Sequence, residues 1–397
     1  MKMCFNRINY VVPVAIFVSA MITRPSIAES IDIAPLLSQL KNVGSEGANA
    51  EAASKAWSQL SAIPAQQLPE LLAGMNDASP LAENWLRSVA DAVAERTVRA
   101  GDPLPIEGLQ RFLLDTSNSP RARRTAYEWV VKVSPDLTAR LLERFLDDPS
   151  LELRRDAVTY LLEKVAAAGG ETAAKQLLRK AFTASRDEDQ IDDITDRLAK
   201  YQDAVDLPAH YGFVMRWHLI APFDNTEKNG FDVSYPPEEE IDLDAKYAGK
   251  DGETGWKIHQ SSDTHGIVDL NNAIHNHKGV IGYAYAEFES SDDQDVDIRL
   301  GCINANKVWL NGMLLTTNEV YHANMMIDQY VAKGRMHKGQ NAILLKIAQN
   351  EQSEAWAQRW QFQLRVCDAI GTAILAKNRS TPAPKVNETA LNNGEQS

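Results

Sequence analysis

The chain has 397 residues, 54 acidic against 41 basic, and a formal charge of −13. That length exceeds what one core comfortably holds, so more than one domain is expected. The acidic balance argues against unaided nucleic-acid binding, which depends on neutralising phosphates.

In chain order, Lys2 and Arg7 precede an apolar run at 10–22, and the small residues of Ser26-Ile27-Ala28 follow. This order predicts a cleavable signal peptide over 1–28 and a mature start near Glu29. Roughly 13 apolar residues fall short of the ~20 that a membrane span needs. Cys4 lies ahead of the run, whereas a lipid-modified cysteine would follow it. No later segment reads as a span, so an exported protein is expected, periplasmic or extracellular. Loss of Lys2, Arg7 and Arg24 with the leader takes the charge from −13 to −16.

Residues 29–204 are rich in Ala, Leu, Arg and Glu and contain no histidine. Arg123-Arg124-Thr125-Ala126-Tyr127-Glu128-Trp129-Val130 recurs as Arg154-Arg155-Asp156-Ala157-Val158-Thr159-Tyr160-Leu161, a spacing of 31, with a looser copy at 86–93. A second amphipathic stretch follows each, as at 137–146 and 173–182, which predicts helical hairpins. Pro120 and Pro149 stand where a first helical turn tolerates proline. Asp147-Asp148-Pro149 followed by Leu153-Arg154-Arg155-Asp156-Ala157 resembles the HEAT-repeat pattern, with armadillo-like or other helical stacking left open. The resemblance implies a solenoid-like surface for a protein partner. Arg123, Arg124, Arg154 and Arg155 are then structural, pairing with acidic neighbours.

Near residue 205 the pattern changes to alternating β-branched and aromatic residues, and all 8 histidines lie beyond it. Leu207-Pro208 ends the last helix. Strands are predicted at 213–220, 255–259, 280–288, 296–300, 307–310, 313–316, 342–348 and 359–366, which together favour an antiparallel β-sandwich over 205–370. Asn311-Gly312 between apolar runs predicts a type I′ hairpin. Residues 371–397, with Thr381-Pro382-Ala383-Pro384, read as a disordered tail. The fold class is multidomain, α then β.

Lys307-Val308-Trp309-Leu310-Asn311-Gly312, Trp217 to Asp224, and Gly339 to Lys346 resemble the galactose-binding-like jelly roll, an accessory module of β-galactosidase-type glycoside hydrolases. Ala221 stands where that group usually has glycine before Pro222. The resemblance implies a sandwich that binds sugars, binds proteins or braces a neighbour. Trp356, Trp309 and Tyr321 are the candidate ligand-binding residues, with Trp356 expected to be exposed in its polar stretch and most other aromatics in the core. Export places Cys302 and Cys367 where a disulfide can persist; two buried free thiols are the alternative.

No nucleophile elbow, His-Glu-x-x-His helix or phosphate-binding Gly-rich loop occurs. His275-Asn276-His277 has no carboxylate or cysteine fixed nearby, and no metal site is assigned. Asp293-Gln294-Asp295-Val296-Asp297 lacks the glycine and glutamate of an EF-hand loop and reads as a charged hairpin connection, a structural calcium on a loop being the one cofactor left open. Pro236-Pro237-Glu238-Glu239-Glu240 reads as a solvated loop, and no carboxylate pair for glycoside hydrolysis stands out among Glu238, Glu239, Glu240, Asp242, Glu287 and Glu289. The expected function is an exported, non-catalytic binding or adaptor protein, with helical repeats for protein contact and a jelly roll for glycan or protein. A structural part of an envelope assembly and a member of a polysaccharide-degrading system are the alternatives.

Overall fold

The first half is helical because its apolar residues recur at helical spacing and its helix ends carry the side chains that backbone ends require. The computed structural model describes residues 31–379. The expected leader and residues 380–397 lie outside the described residues. Two compact units form, dividing between Val133 and Ser134. Among the described residues no helix is long and apolar enough to cross a membrane.

The first unit contains α1 (Ala34–Lys41), α2 (Ala50–Leu60), α3 (Leu68–Ala73), α4 (Pro80–Ala100), α5 (Ile106–Leu114) and α6 (Pro120–Val133). Ser79 Oγ accepts the Ala82 N–H at the start of α4, and Gly101 at φ +81° ends it. Leu86, Val89, Ala90, Val93 and Ala94 form its buried face. Trp129 of α6 donates its indole N–H to Asp91 at 2.8 Å, tying the two helices together. Arg123 is buried, and its Nε donates to the Leu113 carbonyl at 2.7 Å, one of the carbonyls that the last turn of α5 leaves free.

The second unit begins with α7 (Thr138–Leu142), α8 (Leu151–Ala166), α9 (Glu171–Ala184), α10 (Glu188–Lys200) and α11 (Leu207–Tyr211). The helix expected over 137–146 is shortened to α7 because the chain turns there and buries Phe145 and Leu146, and Asp148 then captures the Ser150 N–H at 2.8 Å. Arg154 Nε donates to the Asp148 carbonyl at 2.8 Å, as Arg123 does to Leu113. Arg155 pairs with Asp187 and Asp189, and Arg124 with Glu128.

The strands are β1 (Arg216–Asp224), β2 (Lys246–Gly249), β3 (Gly252–Gly255), β4 (Lys257–Gln260), β5 (Val268–Asp269), β6 (Val280–Ser290), β7 (Gln294–Cys302), β8 (Ala305–Leu310), β9 (Met313–Asn318), β10 (Tyr330–Met336), β11 (Gly339–Gln349) and β12 (Gln361–Cys367). Two antiparallel sheets, β4-β1-β6-β11-β8-β9 and β10-β7-β12-β5, enclose a core that includes Trp217, Phe288, Ile298, Leu345, Trp360 and Phe362. Asn311 and Gly312 take φ 52° and 79° between β8 and β9, the positive angles that a type I′ turn needs.

Along the middle of β6 the small residues Gly282, Ala284 and Ala286 face inward, whereas Tyr283 and Tyr285 face outward. A Cβ on Gly282 would lie 2.8 Å from the Trp360 ring, so glycine makes room for that indole. Tyr283 and Tyr285 point the other way yet are buried, because residues 225–250 fold over the outer face with Phe231, Tyr235, Ile241, Leu243 and Tyr247. The stretch expected as a solvated loop at 236–240 is part of this cover. Glu238, on α12 (Pro236–Glu239), accepts from Lys346 Nζ at 2.8 Å and from the Tyr283 hydroxyl. Lys346 is 0% exposed, and a buried ammonium requires such an anion.

The Cys302–Cys367 bridge is not formed; both thiols are free and buried. Cys302 lies opposite Phe362 and Cys367 opposite Asp297. The two are therefore about five positions apart along the ladder, roughly 17 Å, against the ~7 Å limit between Cα atoms of a disulfide. The described start of the expected tail is a strap: Ile374 N–H donates to Val366, Lys377 N–H to Glu289, and Arg379 pairs with Asp206.

Candidate functional site

Antiparallel pairing gathers the ends of β1, β9 and β11 and the beginnings of β6 and β8 at one end of the six-stranded sheet. The loops there carry a buried amide network. Asn225 Nδ2 donates to the Gln349 carbonyl at 3.0 Å and the Tyr321 hydroxyl at 3.3 Å. Asn304 Nδ2 donates to Gln349 Oε1 at 3.0 Å, and Asn306 Nδ2 to the Asn304 carbonyl at 3.0 Å. His322 Nε2 lies 2.8 Å from Asn350 Oδ1; since that oxygen only accepts, the proton sits on Nε2. Among the described residues, Asn225 Oδ1, Asn304 Oδ1 and His322 Nδ1 are buried atoms with no hydrogen-bond partner.

Above this network stands Trp356, 59% exposed on the turn Ala355–Ala357. The turn is held firmly. Lys278 Nζ donates to the Ala357 carbonyl at 2.9 Å, Asn271 Nδ2 to the Gln358 carbonyl at 2.8 Å, and the His322 ring meets the indole edge-on at 5.1 Å. Burial lowers the Lys278 pKa. Tyr321 is half-buried with Lys228 Nζ 5.0 Å above its ring, and burial raises its pKa. Glu227, Lys228 and His322 adopt φ 57°, 66° and 58°, strained values for side-chain-bearing residues that only a well-fixed surrounding maintains.

Of the three aromatic candidates, Trp356 and Tyr321 are linked through His322, whereas Trp309 is not part of this end. It lies on β8 opposite Leu344 and packs half-buried on the outer-face cluster, about four residues or ~13 Å along the strand from the loop end.

No protein-family model matches the chain, and no curated protein matches it in sequence. Among solved structures, a family 35 carbohydrate-binding module from Clostridium thermocellum is similar over 24% of this chain and 75% of its own, with 11% identity and a TM-score of 0.18. An anti-sigma factor domain-containing protein from Clostridium clariflavum matches over 44% of this chain and 48% of its own, with 11% identity and a TM-score of 0.24. A β-glucosidase from Kluyveromyces marxianus matches over 70% of this chain and 35% of its own, with 11% identity and a TM-score of 0.26. This chain thus spans less than half the length of the latter two. At such scores the likeness has no bearing on function, which has to be argued from the geometry.

The carboxylates of the 236–242 and 287–289 segments do not gather at this end. Glu238 is committed to Lys346 and Tyr283, while Glu287 and Glu289 lie toward the opposite end of β6. The His275 and His277 rings approach to 5.1 Å, and His277 pairs with Asp251 at 3.3 Å. Among the described residues no three His, Cys, Asp or Glu side chains group as metal ligands. Asp295 and Asp297 pair with Arg335 and Arg299, and Asp293 accepts the Lys338 N–H. Asn225, Asn304, His322 and Asn350 escaped the sequence reading because each is a common loop residue, and only the topology brings them together.

Proposed function

We propose that this is an exported, non-catalytic binding protein whose sandwich holds a glycan at the Trp356 end while its helical half, read as HEAT-like repeats, engages a protein partner. The observation that carries the proposal is a large indole that stays exposed although its turn is pinned from several sides. Exposing such a ring is unfavourable unless something covers it, and pinning it in advance lowers the entropy lost on binding. The negative face of the indole suits the C–H face of a pyranose, and the polar loop groups beside it suit hydroxyls. For the protein partner, α2 and α4 border a groove of about 310 Å³ lined by Trp57, Leu81 and Trp85 with Ser54, Asn84 and Ser88.

A glycan array and a pull-down, each with wild type and Trp356→Ala, test the reading. Binding to one glycan class that the variant loses is the expected result. Silence of the wild type in both experiments overturns it. A second reading, a structural part of an envelope assembly, is favoured by the packing of Trp309 and Tyr321 on the outer-face cluster. It expects Trp356→Ala to leave every interaction unchanged.

A further inference from the structure

At the opposite end of the sheet, β1 and β6 separate before their ladder is complete. Their register runs through Leu219↔Ala284 and His218↔Tyr285, which would next set Arg216 opposite Glu287. Arg216 instead pairs only with Gln260 of β4. The strap beyond β12 enters the gap. Asn378 Nδ2 donates to the Glu287 carbonyl and its Oδ1 accepts the Glu289 N–H, both at 3.1 Å, and the Lys377 N–H reaches the Glu289 carbonyl at 2.9 Å. A cavity of about 290 Å³ remains between the strands and the strap.

The polar groups around it are unevenly satisfied. Arg216 and Glu287, which an unbroken ladder would place face to face, are both exposed and have no side-chain partner among the described residues. Arg379 closes the cavity from the strap; its Nη2 holds both Asp206 oxygens at 2.9 Å. Asp206 answers the charge of Arg379, so that residue adds no net cation to the cavity. His218 lies between Arg216 and Glu287 electrostatically, and burial followed by Arg216 lowers its pKa. Ile374 and Leu375 supply apolar wall, Leu375 remaining 43% exposed.

We propose that this cavity is a second ligand site, taking a small zwitterion of the amino-acid or dipeptide class. The ligand carboxylate lies on Arg216, its ammonium on Glu287, and an apolar side chain against Ile374 and Leu375. Charge selects the class. A simple anion would meet Glu287 with no compensation, a simple cation would meet Arg216, and a neutral sugar would answer neither charge. Size agrees. The volume is roughly twice the ~150 Å³ that accommodates benzene, room for on the order of ten to fifteen non-hydrogen atoms.

Calorimetric titration of the full chain with L-leucine and L-alanyl-L-leucine tests this, with N-acetyl-leucine, leucinamide and glucose as controls. At least one zwitterion is expected to bind, with either blocked form about tenfold weaker or worse. Arg216→Gln should weaken the zwitterion by a similar factor, and Glu287→Gln should abolish the discrimination against N-acetyl-leucine. Trp356→Ala should leave this binding intact, which separates it from the glycan proposal. No binding of either zwitterion up to about 10 mM, a level that would still reveal affinities of a few kcal/mol, overturns the proposal. So does glucose binding in their place, or zwitterion binding that ignores both charge variants.

Discussion

Glu238→Gln preserves the shape of the side chain and removes the carboxylate that answers Lys346. The ammonium would then sit at 0% exposure with neutral oxygens alone to answer it, the Val233 carbonyl at 2.7 Å and the substituted amide oxygen. Breaking a buried ion pair on one side costs about 3–5 kcal/mol, and at roughly 2–4 °C per kcal/mol for a unit of this size the melting temperature should fall by about 6–20 °C. Lys346→Met should cost less, because Glu238 keeps the Tyr283 hydroxyl and its side chain retains 12% exposure. The pH dependence has a definite sign. Burial holds the Lys346 pKa below its ordinary 10.5. Without Glu238 that value drops further, so between it and 10.5 the folded state carries fewer protons than the unfolded state, and the deficit of the variant shrinks as pH rises through that window. Urea melts at pH 7 and about pH 9.5 read both effects. A Glu238→Gln variant within about 1 kcal/mol of wild type, or a deficit that grows toward alkaline pH, would refute the assignment of Lys346 as a charged buried group.

Burial pushes the Cys302 thiol up to about 12 and Cys367 up to about 11. Both should resist a thiol reagent in the native protein at neutral pH and react without reductant once it is unfolded, which peptide mapping would show. His210 stacks on Phe182 at 4.1 Å, and burial first, then Arg186, hold its pKa at about 4. Its folded pKa is depressed below 6.5, so the stabilising contribution is present above 6.5 and lost as pH falls toward 4; His210→Phe should flatten the melting-temperature profile in that window. Gly282→Ala should destabilise by about 1–3 kcal/mol in denaturant melts, because the added carbon meets the Trp360 ring.

What the sequence showed best was what local chemistry decides. Asn311-Gly312 specified its hairpin because both positions need positive φ, whereas the recurrence aligned Arg123 with Arg154 and suggested acidic partners without showing that each Nε donates to a backbone carbonyl, of Leu113 and Asp148. β10 escaped notice because Ala332-Lys333-Gly334-Arg335 alternates weakly and pairs as an edge strand. The cover over Tyr283 and Tyr285 was not legible either, since nothing local marks Glu238 as the partner of a lysine 108 positions away. The candidate site divided in the same way. Trp356 could be picked out by its polar surroundings, whereas Trp309 and Tyr321 read alike in sequence and differ only in where β8 and the loop after β9 place them.

Trp356 is exposed and pinned, and a sugar is the ligand proposed for it. Calorimetric titration of wild type and Trp356→Ala with the best glycan found on the array tests this most directly. Removing a central aromatic anchor should cost about 2 kcal/mol, roughly a thirtyfold loss of affinity, while the melting temperature stays unchanged because the side chain is already 59% exposed. Equal affinities in the two proteins would contradict the account.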